Sequence, residues 1–515
     1  MEKLYLVLSH KILRYVFLIG LLLLCVYQLK KYKPYPTGDA LEYSLVTEAL
    51  FQHQSPDILP SDILTFKEST EKNRPWNEVG KNEWYNVFKD SIQTFKNGSN
   101  TLLKTDFHGI TGNENRKVYS IHFISYSILA LPFRIVFEII NVEPLKAFIA
   151  LNMFIMLLVV AYILFFLKAE NQLKIPLSLL FIISPLSWYI SWVHADYFIA
   201  ALACLSILLY ADKRYYLSIL VMAIAATQNQ TFVLITAAMG FKLWKDSKYS
   251  FKTFVRLLIP AVICVLHPIY NKILFNEWSL ITFFKYTDSA NISIKRFSSF
   301  FFDLNQGMII AFPFWMLLGT YFLIKSKKQL KDIFSTELIF VLIILISIIP
   351  SLSFNAWNLG QAVVSRYAIW FGAILIGYVL SKSALFKNGI MILLVLQLSL
   401  SLLVFKKKGF FIPEWDNEEI KPHVTWIWNK FPNLYNPEPK IFYERTQKKW
   451  LDVVNPSGFP AYYTNSSNGI ITKVLVHKNQ PESLLYPGSD SSNVQTILAE
   501  LNFDHRGFAY YHPKN

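Results

Sequence analysis

Long apolar runs separated by short basic or polar connections set the pattern of this chain. The first, Ile12 to Leu29, has Leu21 to Leu24 at its centre and Arg14 and Lys30-Lys31 at its flanks; that is enough for one membrane span of ~20 residues. Further runs fall near 145–167, 175–193, 197–211, 215–227, 230–244, 254–274, 307–324, 337–351, 367–381 and 389–405. Each predicts an apolar helix, some of them short for a full span. Lys30, Lys31, Lys33 and Pro34 follow the first run where a signal peptide would carry a small-residue cleavage site, so this run is expected to be a retained transmembrane helix.

Lysines orient the pattern. Lys168/Lys174, Lys213-Arg214, Lys242 through Arg256, Lys325 through Lys331 and Lys382/Lys387 occupy every second connection, which places those connections and the N-terminus in the cytoplasm. Residues 30–118 and the chain after Phe405 then lie outside. Tyr119 to Ile140 is apolar but holds His122, Pro132 and Arg134, and counting it as a span would invert every later loop. It is expected to be a juxtamembrane or re-entrant segment on the outer face. Residues 406–515 change character, with seven prolines between Pro413 and Pro460 and a strand-like stretch at Ile470 to Val476; they predict a small α+β domain. The expected fold is an all-α polytopic membrane protein of about eleven transmembrane helices, N-in and C-out. Residues 1–405 form its membrane domain and 406–515 an extracytoplasmic one.

Composition agrees: of 515 residues 53% are hydrophobic and 17% charged, where soluble domains hold about 25% charge. The net charge of +15 sits in clusters between apolar runs, so it reads as topology and not as nucleic-acid binding. Cys25, Cys204 and Cys264 all lie inside apolar runs, which leaves no disulfide framework and no zinc spacing.

The polar chemistry gathers on the outer side. Pro36-Thr37-Gly38 precedes a helical pattern from Asp39 to Phe51, with Asp39 and Glu42 on one face. Asp39 has two readings, a helix cap or a base that takes a proton from an attacking hydroxyl. His194 and Asp196 stand at the head of a later run, as a helix start beside an aromatic belt or as an ionisable functional pair. No cofactor is fixed by the sequence; His194, Asp196 and Asp39 could form a metal set, which a divalent cation such as Mg or Mn would suit better than zinc. Lys285, Lys295, Arg296 and Arg366 lie in outer loops, where basic residues are disfavoured; an anionic lipid phosphate supplies one reason and headgroup contact another. Tyr43, His122, Gln228 and Trp357 are the remaining candidates to line a substrate.

These residues, in this order, resemble the GT-C superfamily of membrane glycosyltransferases. Gly38-Asp39-Ala40-Leu41-Glu42-Tyr43 is similar to the first-outer-loop acidic motif of that superfamily, and Trp192-Val193-His194-Ala195-Asp196 to its second acidic position. Tyr119 to Pro132 looks like the juxtamembrane segment before the second span, without the usual proline pair. Phe302-Asp303-Leu304-Asn305-Gln306-Gly307, and Trp357-Asn358-Leu359-Gly360 with Ser365-Arg366-Tyr367, resemble bacterial mannosyltransferase-like members of the glycosyltransferase 39 group. The stretch Tyr435 to Arg445 looks like one near the end of such proteins.

The resemblance implies an inverting transfer of sugar from a polyprenyl-phosphate donor to a glycan, lipid or protein acceptor on the outer face. The lysine-, asparagine- and isoleucine-rich usage points to an AT-rich bacterium, so the expected location is a bacterial cytoplasmic membrane with the site facing the periplasm. Asp39 would be the base, Glu42 and Asp196 further acids, and Arg366, Lys285 and Arg296 the donor-phosphate contacts. A lipid-linked glycan polymerase or ligase, a transporter or flippase, and an inactive membrane subunit are the alternatives.

Overall fold

The computed structural model describes residues 10–34, 39–73, 83–98, 109–326, 336–358, 361–408, 419–449, 451, 456–489 and 491–513. The turn Pro36-Thr37-Gly38, Gly360, and Lys327, Lys328 and Lys331 of the basic connections lie outside these residues. The chain is predominantly helical and divides into two compact units. One comprises Met1–Phe284, Leu317–Ser347 and Ile369–Ile412; the other comprises Lys285–Met316, Ile348–Ala368 and Pro413–Asn515.

Among the described residues of the first unit, four helices are long and apolar enough to cross a membrane: Lys11–Lys31, Lys146–Phe166, Phe251–Phe275 and Lys387–Lys407. Leu23, Val26, Ile259, Ile273, Ile392 and Leu403 on three of them are exposed, as lipid-facing side chains would be. Shorter apolar helices are Ala195–Ala211, Tyr215–Gln228, Ile339–Leu352 and Arg366–Ser381. At 1.5 Å per residue, 14 to 17 residues reach about 21–26 Å, short of the ~30 Å hydrocarbon layer. Two expected runs are divided by proline. The run at 175–193 becomes Lys174–Ile182 and a 3-10 turn Pro185–Tyr189, and the run at 307–324 becomes Met308–Ala311 and Pro313–Ser326, because proline lacks the N–H that would continue each helix.

The described residues after the first helix form several elements. These are the helices Asp39–His53, Pro60–Asn73 and Glu83–Lys96 and an antiparallel hairpin, Ile110–Gly112 with Val118–Ser120. Asp57 braces the hairpin, accepting from Val118 N at 2.7 Å and pairing with Lys96 at 2.9 Å. Asp39–His53 is buried continuously from Ala40 to Ala49, where the periodicity predicts a single apolar face. Ser44 and Thr47 satisfy their hydroxyls on carbonyls one turn back, at 2.6 and 2.9 Å, and Glu48 is met by Arg134. Arg134 belongs to Ser125–Ile139, the helix within the 119–140 segment. It also donates to Glu138 at 2.7 Å.

The second unit contains a three-stranded antiparallel sheet, Ala461–Thr464, Ile471–His477 and Phe508–Tyr511, in sequence order. Alternation along the central strand divides two apolar clusters. Leu475 packs with Trp428, Phe442 and Tyr463, while Val474 and Val476 pack with Leu484 and Val494. The unit also takes in residues 285–316 and 348–368, including a short hairpin, Gln361–Ala362 with Val364–Ser365. That hairpin turns at Val363 with φ +71°, a strained conformation for a β-branched residue.

Candidate functional site

Asp39 opens its helix and Glu42 follows one turn later, so both acids meet the positive end of the helix dipole. Glu42 is fully enclosed, Asp39 partly exposed. The early hairpin delivers Glu42's partners: Ser120 Oγ donates to Oε1, the His122 amide donates to the same oxygen at 2.9 Å, and His122 Nδ1 lies 2.9 and 3.0 Å from the two carboxylate oxygens. Burial pushes the Glu42 pKa up; His122 and Ser120 pull against it and Asp39 adds to it. A Cβ at Gly109, where φ is +70°, would sit 2.0 Å from Glu42 Oε2, so glycine is needed where the hairpin backbone crosses this carboxylate.

The second acid–imidazole contact comes from the broken run. After Pro185–Tyr189 the chain is extended at His194, which precedes Ala195–Ala211 and brings Nδ1 within 3.5 Å of Asp39 Oδ2. Asp196, in the first turn of that helix, is buried and accepts from Trp370 Nε1 at 2.9 Å. Tyr43 lies among these groups. Its ring stands edge-on to Tyr126 at 5.2 Å and 5.6 Å from His122. Burial first, then the charges of Asp39, Glu42 and Asp196, raise its pKa well above the ordinary value.

The structure therefore brings together Asp39, Glu42, Tyr43, His122, His194 and Asp196. Gln228 donates to Phe123 O at 2.6 Å and Ser125 Oγ at 2.8 Å, which fixes the segment that carries His122. Ser120, Gly109 and Trp370 were not anticipated. Ser120 could have been suspected from its place two residues before His122, whereas Gly109 and Trp370 have no local signal.

Among the described residues, the grouping that can hold a metal ion is Asp39, Glu42 and His122, with donor atoms within 4.8 Å of one another. The oxygen and imidazole donors suit a hard divalent cation. In the observed arrangement His122 Nδ1 contacts both Glu42 oxygens directly.

In the second unit, Lys285 is exposed with φ +56°. Arg366 lies over Tyr367 at 5.4 Å, at the start of Arg366–Ser381. Arg296 is fully enclosed. It donates to Leu352 O at 2.6 Å, pairs with Glu438 at 3.5 Å and covers the ring of buried Trp357 at 5.1 Å, so it serves as an internal cation.

The three later stretches singled out in the sequence converge in this unit. Gln306 donates to Asn358 at 2.8 Å, Asn358 to Glu444 at 2.9 Å, and Arg445 to Gln361 at 3.0 Å. Tyr435 donates to Asp303 at 2.6 Å. Gly307 is required there, because a Cβ would lie 2.5 Å from Asp303 N.

Comparison of the chain with protein-family models, curated proteins and solved structures gives no match in any of the three.

Proposed function

We propose that this chain is a multi-pass membrane glycosyltransferase of GT-C type. In this reading it lies in a bacterial cytoplasmic membrane with its reaction face outward, and moves a sugar from a polyprenyl-phosphate donor to a glycan, lipid or protein acceptor. One observation carries the reading above the others. The acids Asp39 and Glu42 follow directly on a span-length helix and are gathered with His122, His194 and Asp196. Perturbed ionisable groups gathered in this way are a recurring feature of reaction sites.

Asp39 takes the proton of the acceptor hydroxyl as that oxygen attacks the anomeric carbon. The bond from that carbon to the phosphate oxygen breaks, polyprenyl phosphate leaves, and configuration inverts. A departing phosphate needs little acid help, so charge stabilisation carries more of the barrier. His194 orients the Asp39 carboxylate, and Glu42 acts as a positioning residue that holds His122. A divalent cation would be held by Asp39, Glu42 and His122 and would supply charge stabilisation to the departing phosphate.

The test is transfer of radiolabelled sugar from polyprenyl-phosphate-sugar to membrane acceptors, with wild type and Asp39→Asn at equal protein level. Loss of roughly 100-fold or more is expected for the variant. Full activity would remove Asp39 as the base and favour the polymerase or ligase reading. No transfer by wild type across a broad donor panel would favour a transporter.

A further inference from the structure

A groove in the first unit shares no lining residue with the acidic cluster. The helices Tyr215–Gln228, Phe232–Asp246 and Phe251–Phe275 enclose this open groove of about 330 Å³, walled by side chains such as Val233, Ala237, Phe241, Leu258 and Val265. That volume is within the ~300–1,000 Å³ range of small-ligand sites. The lining is almost wholly apolar, which suits hydrocarbon.

One end of the groove is different. Trp244 closes it, packed on Tyr249 at 5.1 Å and Phe254 at 5.8 Å, and the indole Nε1 is buried with no hydrogen-bond partner. Lys245, Lys248, Lys252 and Arg256 surround the turn between the two helices there, all exposed. The acid among them, Asp246, is paired with Lys242. The 25-residue helix beginning at Phe251 has neither an acid in its first turn nor a capping side chain, so its dipole adds positive potential at the same end.

We propose that this groove binds an anionic phospholipid, one acyl chain lying along the helices and the phosphate headgroup meeting the exposed Lys245–Arg256 rim. The assignment rests on the membrane reading above but not on the transferase activity. An apolar trough gives the chain its place, and a basic rim at one end selects the sign of the headgroup. By the lysine pattern this end is cytoplasmic, the face opposite to the proposed reaction.

The test uses the full chain in detergent, with bound lipid read by native mass spectrometry against equimolar phosphatidylglycerol and phosphatidylcholine. Wild type is expected to retain phosphatidylglycerol preferentially. Lys245→Gln/Lys252→Gln/Arg256→Gln, all surface changes, should lower that preference roughly tenfold or more. Gly240→Phe provides a second variant: a Cβ there meets only Leu257, at 3.6 Å, so the ring enters the groove and should expel either lipid. Equal retention of the two lipids by wild type, or a preference unchanged in both variants, would overturn the proposal. Polyprenyl phosphate displacing phosphatidylglycerol at equal concentration would overturn it in favour of a carrier site. Release of the protein from membranes by alkaline carbonate would overturn the membrane reading as well.

Discussion

Glu42 and Glu438 are both fully enclosed carboxylates, yet they are driven in opposite directions. Around Glu42 the cost of burial prevails over one imidazole and one hydroxyl, and the pKa rises. Around Glu438 burial also pushes upward, but Arg506 at 2.6 Å, Arg296 and Lys440 prevail and hold the group at about 2, against an ordinary 4.5. A carboxylate depressed on folding adds stability above its unfolded pKa, and that contribution is lost as pH falls toward the folded value. The melting-temperature difference between wild type and Glu438→Gln is therefore expected to be full at neutral pH and to shrink as pH falls from about 4.5 to about 2. A difference independent of pH across that window would rule out this ion cluster as its source. The pairing of Asp39 with Glu42 was legible, because one helical turn separates them. The depth of Glu42 was not, because its partner His122 lies 80 residues away and nothing local to either residue encodes the meeting.

At the scale of the element, apolar runs announced most helices, and prolines explain where the runs divide. What the pattern could not show is how a helix with two glutamates is buried on every side. Arg134 supplies part of that answer, and it also explains how an arginine is tolerated within the apolar segment Ser125–Ile139. Its side chain is 1% exposed and its guanidinium donates to Glu48, whose side chain is also 1% exposed. Removing one member of such a pair leaves an uncompensated buried charge. Arg134→Met is therefore expected to destabilise by about 3–5 kcal/mol, and Arg134→Met/Glu48→Met to recover most of that loss. Thermal unfolding in detergent of the two single variants and the double variant completes the cycle; strictly additive losses would remove the coupling.

For the whole molecule, sidedness is the quantity to measure. Cys25, Cys204 and Cys264 are buried, so a membrane-impermeant maleimide should leave wild type unlabelled and report cleanly on introduced cysteines. Ser289→Cys is expected to label on intact cells, and Tyr249→Cys only after permeabilisation. The reverse result would invert the proposed topology. The lysines carry an expectation of loop sidedness that this labelling tests, whereas the recruitment of residues 285–316 and 348–368 into the second unit had no counterpart in the sequence pattern. It depends on long-range polar bonds, which leave no periodic trace.

Those same bonds impose an order on biosynthesis. Gln306 and Arg445 are 139 residues apart in the chain, and at ribosomal rates of roughly 5–20 residues per second the earlier partner waits about 7–30 s for the later one. Gln306 can meet Asn358 and Gln361 well before that interval ends, but the Asn358 amide has no Glu444 to donate to, and Gln306 Oε1 no Arg445 to accept from, until the tail is made. The second unit is thus closed by its tail, and a nascent chain stalled before Tyr435 would carry an unfinished, water-filled version of it.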